Sequence, residues 1–152
     1  MTASAPHPAP REQLLWICLP TYNEIENLER MIRALGEERD THGLNAHVLI
    51  IDDGSPDGTG AVADRLVEEL EWVHVLHRTA KNGLGRAYLA GFQVALDAGA
   101  ELIMEMDCDF SHNPKDVHRL IDASTQADLV LGSRGVTGGG VEGWPLSRQL
   151  IS

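Results

Sequence analysis

The sequence has little of what marks a secreted, membrane-spanning or nucleic-acid-binding protein. Cysteine occurs only twice, as Cys18 and Cys108, in positions that suit neither a disulfide framework nor a soft-metal site. Lysine and arginine total 12 against 23 acidic residues, and no basic run occurs, which argues against nucleic acid as a partner. No apolar run approaches the length of a membrane span, and the first residues lack the order of a signal peptide. We therefore expect a protein of the reducing cytosol.

What the sequence does have is enough apolar content for one packed domain. Its 152 residues are 43% hydrophobic, which suits a single globular domain with a sizeable core. The first ten residues are rich in proline and alanine and are predicted to form a disordered tail. No repeat or linker divides the rest, so residues 11–152 are predicted to form one domain.

Strand and helix patterns alternate along this domain. Five short apolar runs predict buried strands at residues 14–19, 47–51, 73–76, 102–106 and 128–131. Apolar residues recur at helical spacing between them, and Pro20 is expected to end the first strand. Asn23 is the expected N-cap of the first helix, and Pro114 is expected in the first turn of the last. The alternation predicts an α/β fold with a mostly parallel sheet and helices on both faces.

Polar and acidic residues follow the predicted strands. In open parallel sheets, ligands bind outside the carboxyl ends of the strands. The candidate site therefore consists of the segments at residues 20–24, 52–59, 78–85, 107–111 and 132–134.

Asp107 and Asp109 flank Cys108 directly after the fourth predicted strand. Residues i and i+2 of an extended chain project to the same side, so both carboxylates can reach one hard divalent cation such as Mg²⁺ or Mn²⁺. The diphosphate of a nucleotide would supply further ligands. The alternative is a loop that simply carries surface acids.

Asp52 and Asp53 end the second predicted strand, where a carboxylate can accept hydrogen bonds from a nucleobase or a ribose. The alternative is that they start a turn, with Asp57-Gly58 forming a second one.

The segment Lys81-Asn-Gly-Leu-Gly85 lacks the third glycine of a dinucleotide fingerprint and follows the third strand instead of the first. Its glycines are therefore expected to let a helix pack closely on the sheet. The seven histidines show no ligand spacing, and only His112, beside the acidic pair, is singled out. No Ser-His-Asp or Cys-His arrangement suggests covalent catalysis.

Taken together, the segments after the strands resemble the inverting GT-A glycosyltransferases, whose fold is Rossmann-like, and most of all the polyprenol (dolichol) phosphate mannosyltransferases. The likeness covers residues 14–152, and several motifs in the right order are more specific than any one. The motifs are Pro20-Thr-Tyr-Asn-Glu24, Asp52-Asp-Gly-Ser-Pro-Asp-Gly-Thr59, Lys81-x-Gly-Leu-Gly85, Asp107-x-Asp-x-Ser-His112, Gly132-Ser-Arg134 and Gly138-Gly-Gly-Val-x-Gly-Trp144 with Arg148 and Ser152.

The resemblance implies a role for each matching residue. The guanine and ribose pocket would be lined by Pro20, Tyr22, Glu24, Ile51 and Asp53. Asp107 and Asp109 would hold Mg²⁺ or Mn²⁺, with the Cys108 backbone between them and Ser111 close to the metal. Cys108 stands where the family usually has alanine, and both residues are small.

On the acceptor side, Arg134, Arg148 and Ser152 match positions that hold the phosphates and the acceptor. Asp109 and Arg134 are the expected catalytic residues. The alternative for the arginines is a surface location in a glycine-rich loop.

The implied reaction is transfer of mannose from GDP-mannose to a polyprenyl phosphate, with inversion of the anomeric centre. The acceptor is a phosphate monoester with a second pKa of about 6, so it is a nucleophile at neutral pH without a general base. One alternative is a related transferase that uses UDP-glucose or another nucleotide sugar. Another is a nucleotide-sugar-binding module without turnover.

Members of this family continue well past the position of Ser152. We therefore expect that the C-terminal part of the family domain is missing, together with helices that make peripheral contact with a membrane. The resemblance implies that the full-length protein works at the cytoplasmic face of a membrane. Donor binding without mannosyl transfer is the expectation for the 152 residues alone.

Overall fold

The computed structural model describes residues 10–79 and 83–133. The predicted tail, apart from Pro10, and the predicted acceptor residues Arg134, Arg148 and Ser152 lie outside the described residues. None of the described helices combines the length and the apolar character that crossing a membrane requires. The elements are β1 (Leu15–Thr21), α1 (Leu28–His42), β2 (Ala46–Asp52), α2 (Thr59–Glu69), β3 (Val73–His77), α3 (Leu84–Asp97), β4 (Leu102–Glu105), a 3₁₀ turn (Pro114–Asp116) and α4 (Val117–Ala123).

The four strands form one parallel sheet in the order β3-β2-β1-β4. β1 pairs with β2 from Leu15↔Ala46 to Thr21↔Asp52, whereas it pairs with β4 only as far as Cys18↔Glu105. The chain adds β2 and β3 on one side of β1 and β4 on the other. The strand order therefore reverses between β1 and β4, and such a reversal leaves a crevice at the carboxyl ends of the two strands.

Both faces of the sheet are covered by helices. Alternate residues of β1 point to opposite faces, as the two-residue period of a strand requires. Ile17 and Leu19 lie in a core that includes buried residues of α1, α2 and α4, whereas Trp16 and Cys18 lie in a second core with α3. The predicted α/β sheet with helices on both faces is thereby confirmed.

The close contact between α3 and the sheet occurs at Gly91, in the middle of the helix. A Cβ atom at Gly91 would lie 2.4 Å from Ile51 Cδ1 and 3.1 Å from Cys18 Sγ. The prediction that assigned this role to the glycines of the segment 81–85 was wrong. Gly83 instead has a φ of +95°, which favours glycine, and no heavy atom of the described residues lies within 4 Å of a Cβ at Gly85.

The fifth predicted strand, at residues 128–131, is not a strand in the structure. Leu129 and Leu131 are 74% and 77% exposed. An apolar run forms a strand only when a neighbouring strand accepts and donates its hydrogen bonds, and no described strand pairs with these residues.

Three element boundaries also differ from prediction. β1 continues through Pro20 to Thr21, because β4 ends opposite Cys18 and the proline lies where only β2 is paired. Asn23 has a φ of 61° and precedes a turn, so α1 begins only after Asn27, the residue at its N-cap. The last predicted helix starts as a 3₁₀ turn, in which the Asn113 side chain accepts a hydrogen bond from Lys115 N.

Candidate functional site

The candidate site lies at the carboxyl edge of the sheet, where β1 and β4 part. The loop after β1 is tied there to the segment between β2 and the start of α2, because three successive backbone N–H groups of the loop donate to side chains of that segment. These hydrogen bonds are Asn23 N to Ser55 Oγ (3.0 Å), Glu24 N to Thr59 Oγ1 (2.9 Å) and Ile25 N to Asp57 Oδ2 (3.2 Å).

Asp57 is the hub of this connection. Its Oδ1 accepts hydrogen bonds from both the backbone N (2.9 Å) and the hydroxyl (2.6 Å) of Thr59, the first residue of α2. The hydrogen bond from the Thr59 hydroxyl is the main cause that lowers the pKa of Asp57, and the bond from the backbone N adds to it. The carboxylate therefore stays ionised. Asp57 and Gly58 thus form the second turn of the alternative interpretation and fix the loop between β2 and α2.

Asp52 and Asp53 are both buried at the end of β2, but they have different partners. Asp52 accepts from Ser55 N at 3.3 Å and lies 3.6 Å from His77 Nδ1, so it starts the turn, as the alternative interpretation had it. Asp53 Oδ1 accepts from Arg78 Nη1 at 2.6 Å. Arg78 opens the predicted segment 78–85 after β3, but the sequence analysis assigned no role to this side chain, which holds Asp53 in place.

The loop after β4 carries Asp107 and Asp109. Cys108 between them is buried in the core, whereas the Asp107 side chain is 41% exposed and Asp109 is exposed. The prediction that the chain is extended at the acidic pair was wrong, because β4 ends at Glu105 and residues 108–109 form a turn. Two carboxylates nevertheless flank one inward-facing residue at the mouth of the crevice.

Within residues 10–79 and 83–133, the side chains of Tyr88 and His112 contact Asp107. The hydroxyl of Tyr88, on α3, donates to Asp107 Oδ1 at 3.2 Å. Burial, followed by the charge of Asp107, raises the pKa of Tyr88 well above its usual range, so this hydroxyl keeps its proton. His112 accepts from Asp107 N through Nδ1 at 3.1 Å, and its Nε2 lies 3.9 Å from Asp107 Oδ2. Tyr88 also lines an open groove of about 700 Å³ beside this loop, together with Glu105.

Asp109 is held by the residues that follow it. Its Oδ1 accepts from Ser111 N at 2.9 Å, and the hydrogen bond from the Ser111 side chain is the main cause that lowers the pKa of Asp109. Phe110 between them has a φ of 61°, a left-handed conformation that is rare for a bulky residue. Arg30 of α1 lies over the Phe110 ring, 5.1 Å from its centroid. The loop is therefore held in one shape by its own hydrogen bonds and by α1.

The remaining predicted residues divide into three groups. Pro20 lies near the end of β1, and Tyr22 and Glu24 lie on the loop that follows, at the same edge as Asp53 and the acidic pair. Glu24 accepts from Asn27 Nδ2 at 2.8 Å. The Ile51 side chain is fully buried against α3, so it lies in the core and not at the edge. The predicted acceptor residues are outside the described part of the chain.

Both cysteines are free and buried, as expected of a protein without disulfides. Burial raises the pKa of the Cys108 thiol to about 12 and that of Cys18 to about 11, so neither is a thiolate at neutral pH.

The histidine prediction needs correction. Among the described residues, three side chains that can ligate a metal lie together: Glu38, His42 and His118. Their ligand atoms are all within 4.8 Å of one another. Linear spacing could not reveal it, because Glu38 and His118 are 80 residues apart. Asp107 and Asp109 do not belong to such a group, because no third histidine, cysteine or acidic side chain of the described residues completes one with them.

A parallel sheet with helices on both faces defines a Rossmann-like α/β domain, and in such domains ligands bind at the point where the strand order reverses. The sequence model of the family described as "Glycosyl transferase family 2" matches residues 16–151. The chain therefore belongs to glycosyl transferase family 2, and the predicted family resemblance is confirmed.

Two curated relatives are similar over most of this chain. The undecaprenyl-phosphate mannosyltransferase of Micrococcus luteus is 52% identical over 134 residues, which are 88% of this chain and 54% of that protein. The polyprenol monophosphomannose synthase of Mycolicibacterium smegmatis is 49% identical over 139 residues, 90% of this chain and 51% of that protein. The chain thus spans about half the length of these relatives.

Among solved structures, the fold is similar to that of a mannosyltransferase from Pyrobaculum calidifontis in complex with GDP-Man and Mn²⁺. The TM-score is 0.59, with 24% sequence identity, 77% of this chain covered and 33% of the other. At this identity the likeness concerns the fold. The GT-A fold predicted from the sequence is confirmed.

Proposed function

We propose that this protein transfers mannose from GDP-mannose to a polyprenyl phosphate, with inversion at the anomeric carbon. The observation that carries the proposal is the identity of 52% and 49% to relatives named as enzymes of this type, over about nine-tenths of the chain. The site geometry supports it, because the loops that follow β1 and β4, which carry Glu24 and the acidic pair, both start at the carboxyl edge where the strand order reverses. We also propose that the full-length protein works at the cytoplasmic face of a membrane.

We further propose that Asp107 and Asp109 bind Mg²⁺ or Mn²⁺. Hard divalent cations take carboxylate oxygens, and the lowered pKa of Asp109 keeps this side chain ionised at neutral pH. The Mn²⁺ in the complex of the Pyrobaculum calidifontis protein is further support. Bound there, the ion would neutralise charge on the diphosphate of the departing GDP.

The residues around the acidic pair have positioning roles in this proposal. Tyr88 orients Asp107, and the hydrogen bonds of Ser111 orient Asp109. The donor pocket would be lined by Pro20 at the end of β1, by Tyr22 and Glu24 on the loop that follows, and by Asp53, which Arg78 holds in place. Ile51 is the exception, since its side chain is directed into the core.

The acceptor requires no general base in this scheme. A phosphate monoester has a second pKa of about 6, so at neutral pH most of it is a dianion that can attack the anomeric carbon directly. Arg134 and Arg148 are proposed to hold that phosphate, since guanidinium groups bind phosphate oxygens through two parallel hydrogen bonds. Ser152 is proposed to contact the acceptor beside them.

The first test is metal-dependent donor binding. GDP or GDP-mannose should raise the melting temperature only when Mg²⁺ or Mn²⁺ is present, because ligand binding to the folded state stabilises it. Asp109→Asn should abolish the shift. Asp97→Asn, an equal change of charge at the last residue of α3, should leave it intact.

The melting temperature of each variant without ligand checks that the fold is preserved. An undiminished metal-dependent shift in Asp109→Asn would remove Asp109 from the site. No shift in the wild-type chain with any metal would contradict the proposed donor binding.

A further inference from the structure

Away from the candidate site, Glu38, His42 and His118 meet between two helices. Glu38 and His42 are one turn apart in the last part of α1, and His118 is the second residue of α4. α1 begins at the carboxyl edge of the sheet and ends beside the start of β2, where Leu44 N donates to Arg39 O and Asn45 N to Arg11 O. The cluster is therefore near the amino edge of the sheet, on the side opposite the acidic loop.

Two of the distances among the three ligand atoms match those of a tetrahedral metal site. Glu38 Oε2 lies 3.3 Å from His42 Nε2 and 3.3 Å from His118 Nδ1. Zinc binds imidazole nitrogen and carboxylate oxygen at about 2.0–2.2 Å, and two ligands of a tetrahedron with such bonds are about 3.4 Å apart. The distances from the carboxylate to both imidazoles match this edge length.

The cluster is also sheltered and nearly assembled. The side chains are 14% exposed for Glu38 and 24% for each histidine. The two imidazole rings are stacked, with centroids 3.9 Å apart and 16° between their planes. Binding an ion would require the rings to tilt toward it, which side-chain rotation achieves while the backbones of both helices stay in place.

We propose that Glu38, His42 and His118 bind a divalent transition-metal ion of the zinc type. Two imidazoles and one carboxylate are a ligand set that zinc accepts, whereas Mg²⁺ prefers oxygen ligands alone. The ion would join the helix that follows β1 to the helix that follows the acidic loop, and water would take the fourth position. Its role is to hold α4 on α1, which is separate from the proposed sugar transfer.

The test is a calorimetric titration of the 152-residue chain with Zn²⁺ in excess Mg²⁺, which occupies sites made of oxygen ligands alone. We expect one zinc per chain and at least tenfold weaker binding in Glu38→Gln, His42→Gln and His118→Gln. Glu37→Gln, the same change one residue earlier and on the exposed side of α1, should bind zinc as the wild type does. A rise in melting temperature with Zn²⁺ should follow the same pattern.

His112→Gln separates this cluster from the acidic loop, whose Asp107 and Asp109 together with His112 are the competing zinc ligands. Zinc binding retained in His112→Gln supports the proposal, and zinc binding lost there assigns the ion to the acidic loop and overturns it. Wild-type affinity in all three cluster variants, or no zinc binding by the wild type, also overturns it. Circular dichroism without metal checks folding, and the visible spectrum of the Co²⁺ form reports the ligands in the variants that fold.

Discussion

At the scale of single residues, Tyr88 joins the helix α3 to the acidic loop through the hydrogen bond to Asp107 Oδ1. Tyr88 is 8% exposed, whereas the Asp107 side chain is half-buried and can exchange this bond for water. We expect Tyr88→Phe to cost about 0.5–1.5 kcal/mol of stability, the usual net value of one hydrogen bond. If Asp107 binds metal, loss of its orienting partner should weaken metal-dependent GDP binding about tenfold.

Denaturant unfolding and GDP titration in Mg²⁺ or Mn²⁺ measure the two effects separately. Equal GDP affinity in Tyr88→Phe and the wild type would show that the hydroxyl has no positioning role.

Gly91 and Gly85 lie on the same helix but differ in what an added methyl group would meet. At Gly91 the new Cβ would meet Ile51 Cδ1 and Cys18 Sγ, and these fully buried side chains would have to shift against close-packed neighbours. Overpacking costs about 1–3 kcal/mol, and the higher helix propensity of alanine offsets up to about 1 kcal/mol of it. Gly91→Ala should therefore destabilise the fold by about 1–2 kcal/mol.

Gly85→Ala is the matched control, because no heavy atom of the described residues lies within 4 Å of a Cβ there. It should be neutral or stabilise by up to about 1 kcal/mol. Urea unfolding of both variants measures the difference, and equal effects of the two substitutions would contradict the packing seen at Gly91.

At the scale of secondary-structure elements, His77 links the end of β3 to α2. Its Nε2 lies 2.8 Å from Asp64 Oδ1, and its Nδ1 lies 3.6 Å from Asp52 Oδ2. The hydrogen bond with Asp64 is the main cause that raises the pKa of His77 above 6.5. The stabilisation is therefore fully present below pH 6.5 and is lost as the pH rises through the pKa of the folded state.

Asp64→Asn should lower the pKa of His77 toward 6.5 and weaken the pH dependence of stability above that value. The effect on stability should not exceed about 1 kcal/mol, because the pair is exposed. His47 and His74 have the opposite effect on the pH dependence. Burial lowers the pKa of both, so their protonation destabilises the fold as the pH falls. NMR titration of the histidines separates them, and an unchanged His77 pKa in the variant would be evidence against the Asp64 contact.

At the scale of the whole molecule, the fold does not decide which nucleotide is bound. The proposed donor, GDP-mannose, carries guanine, and the predicted pocket residues include Pro20 at the end of β1 and Tyr22 and Glu24 on the loop that follows. We expect GDP to bind at least tenfold more tightly than UDP, a difference of about 1.4 kcal/mol. Competitive titration in the same metal ion measures the ratio, and tighter binding of UDP would favour the related transferase that uses another nucleotide sugar.

The sequence predicts those parts of the fold and site that depend on neighbouring residues. The apolar runs of β1 to β4 predict strands, since each contains its own pattern, and Asp107 and Asp109 are found because two carboxylates follow one of these runs. The run at residues 128–131 shows the limit of this reasoning. It has the apolar pattern of a strand. A strand also needs a neighbouring strand to pair with, and the sequence of the run itself does not show whether one is present.

Partners that lie far apart along the chain could not be predicted in the same way. Tyr88 contacts Asp107 across 19 residues, and Arg78 contacts Asp53 across 25. Glu38 and His118 are 80 residues apart, and neither has a motif around it. Each contact depends on which strands are adjacent and on which face a helix lies, and these are properties of the folded chain.

The sequence by itself determined the alternation of strands and helices and the polar loops that follow them, because hydrophobic periodicity and turn residues act over a few positions. Only the tertiary structure decided the order β3-β2-β1-β4, and with it the crevice between β1 and β4. It also brought Gly91 against Ile51, Arg78 to Asp53 and the histidines of α1 and α4 together. The physical reason is that burial and hydrogen bonding between distant segments are satisfied by the packed chain as a whole and not by any one segment.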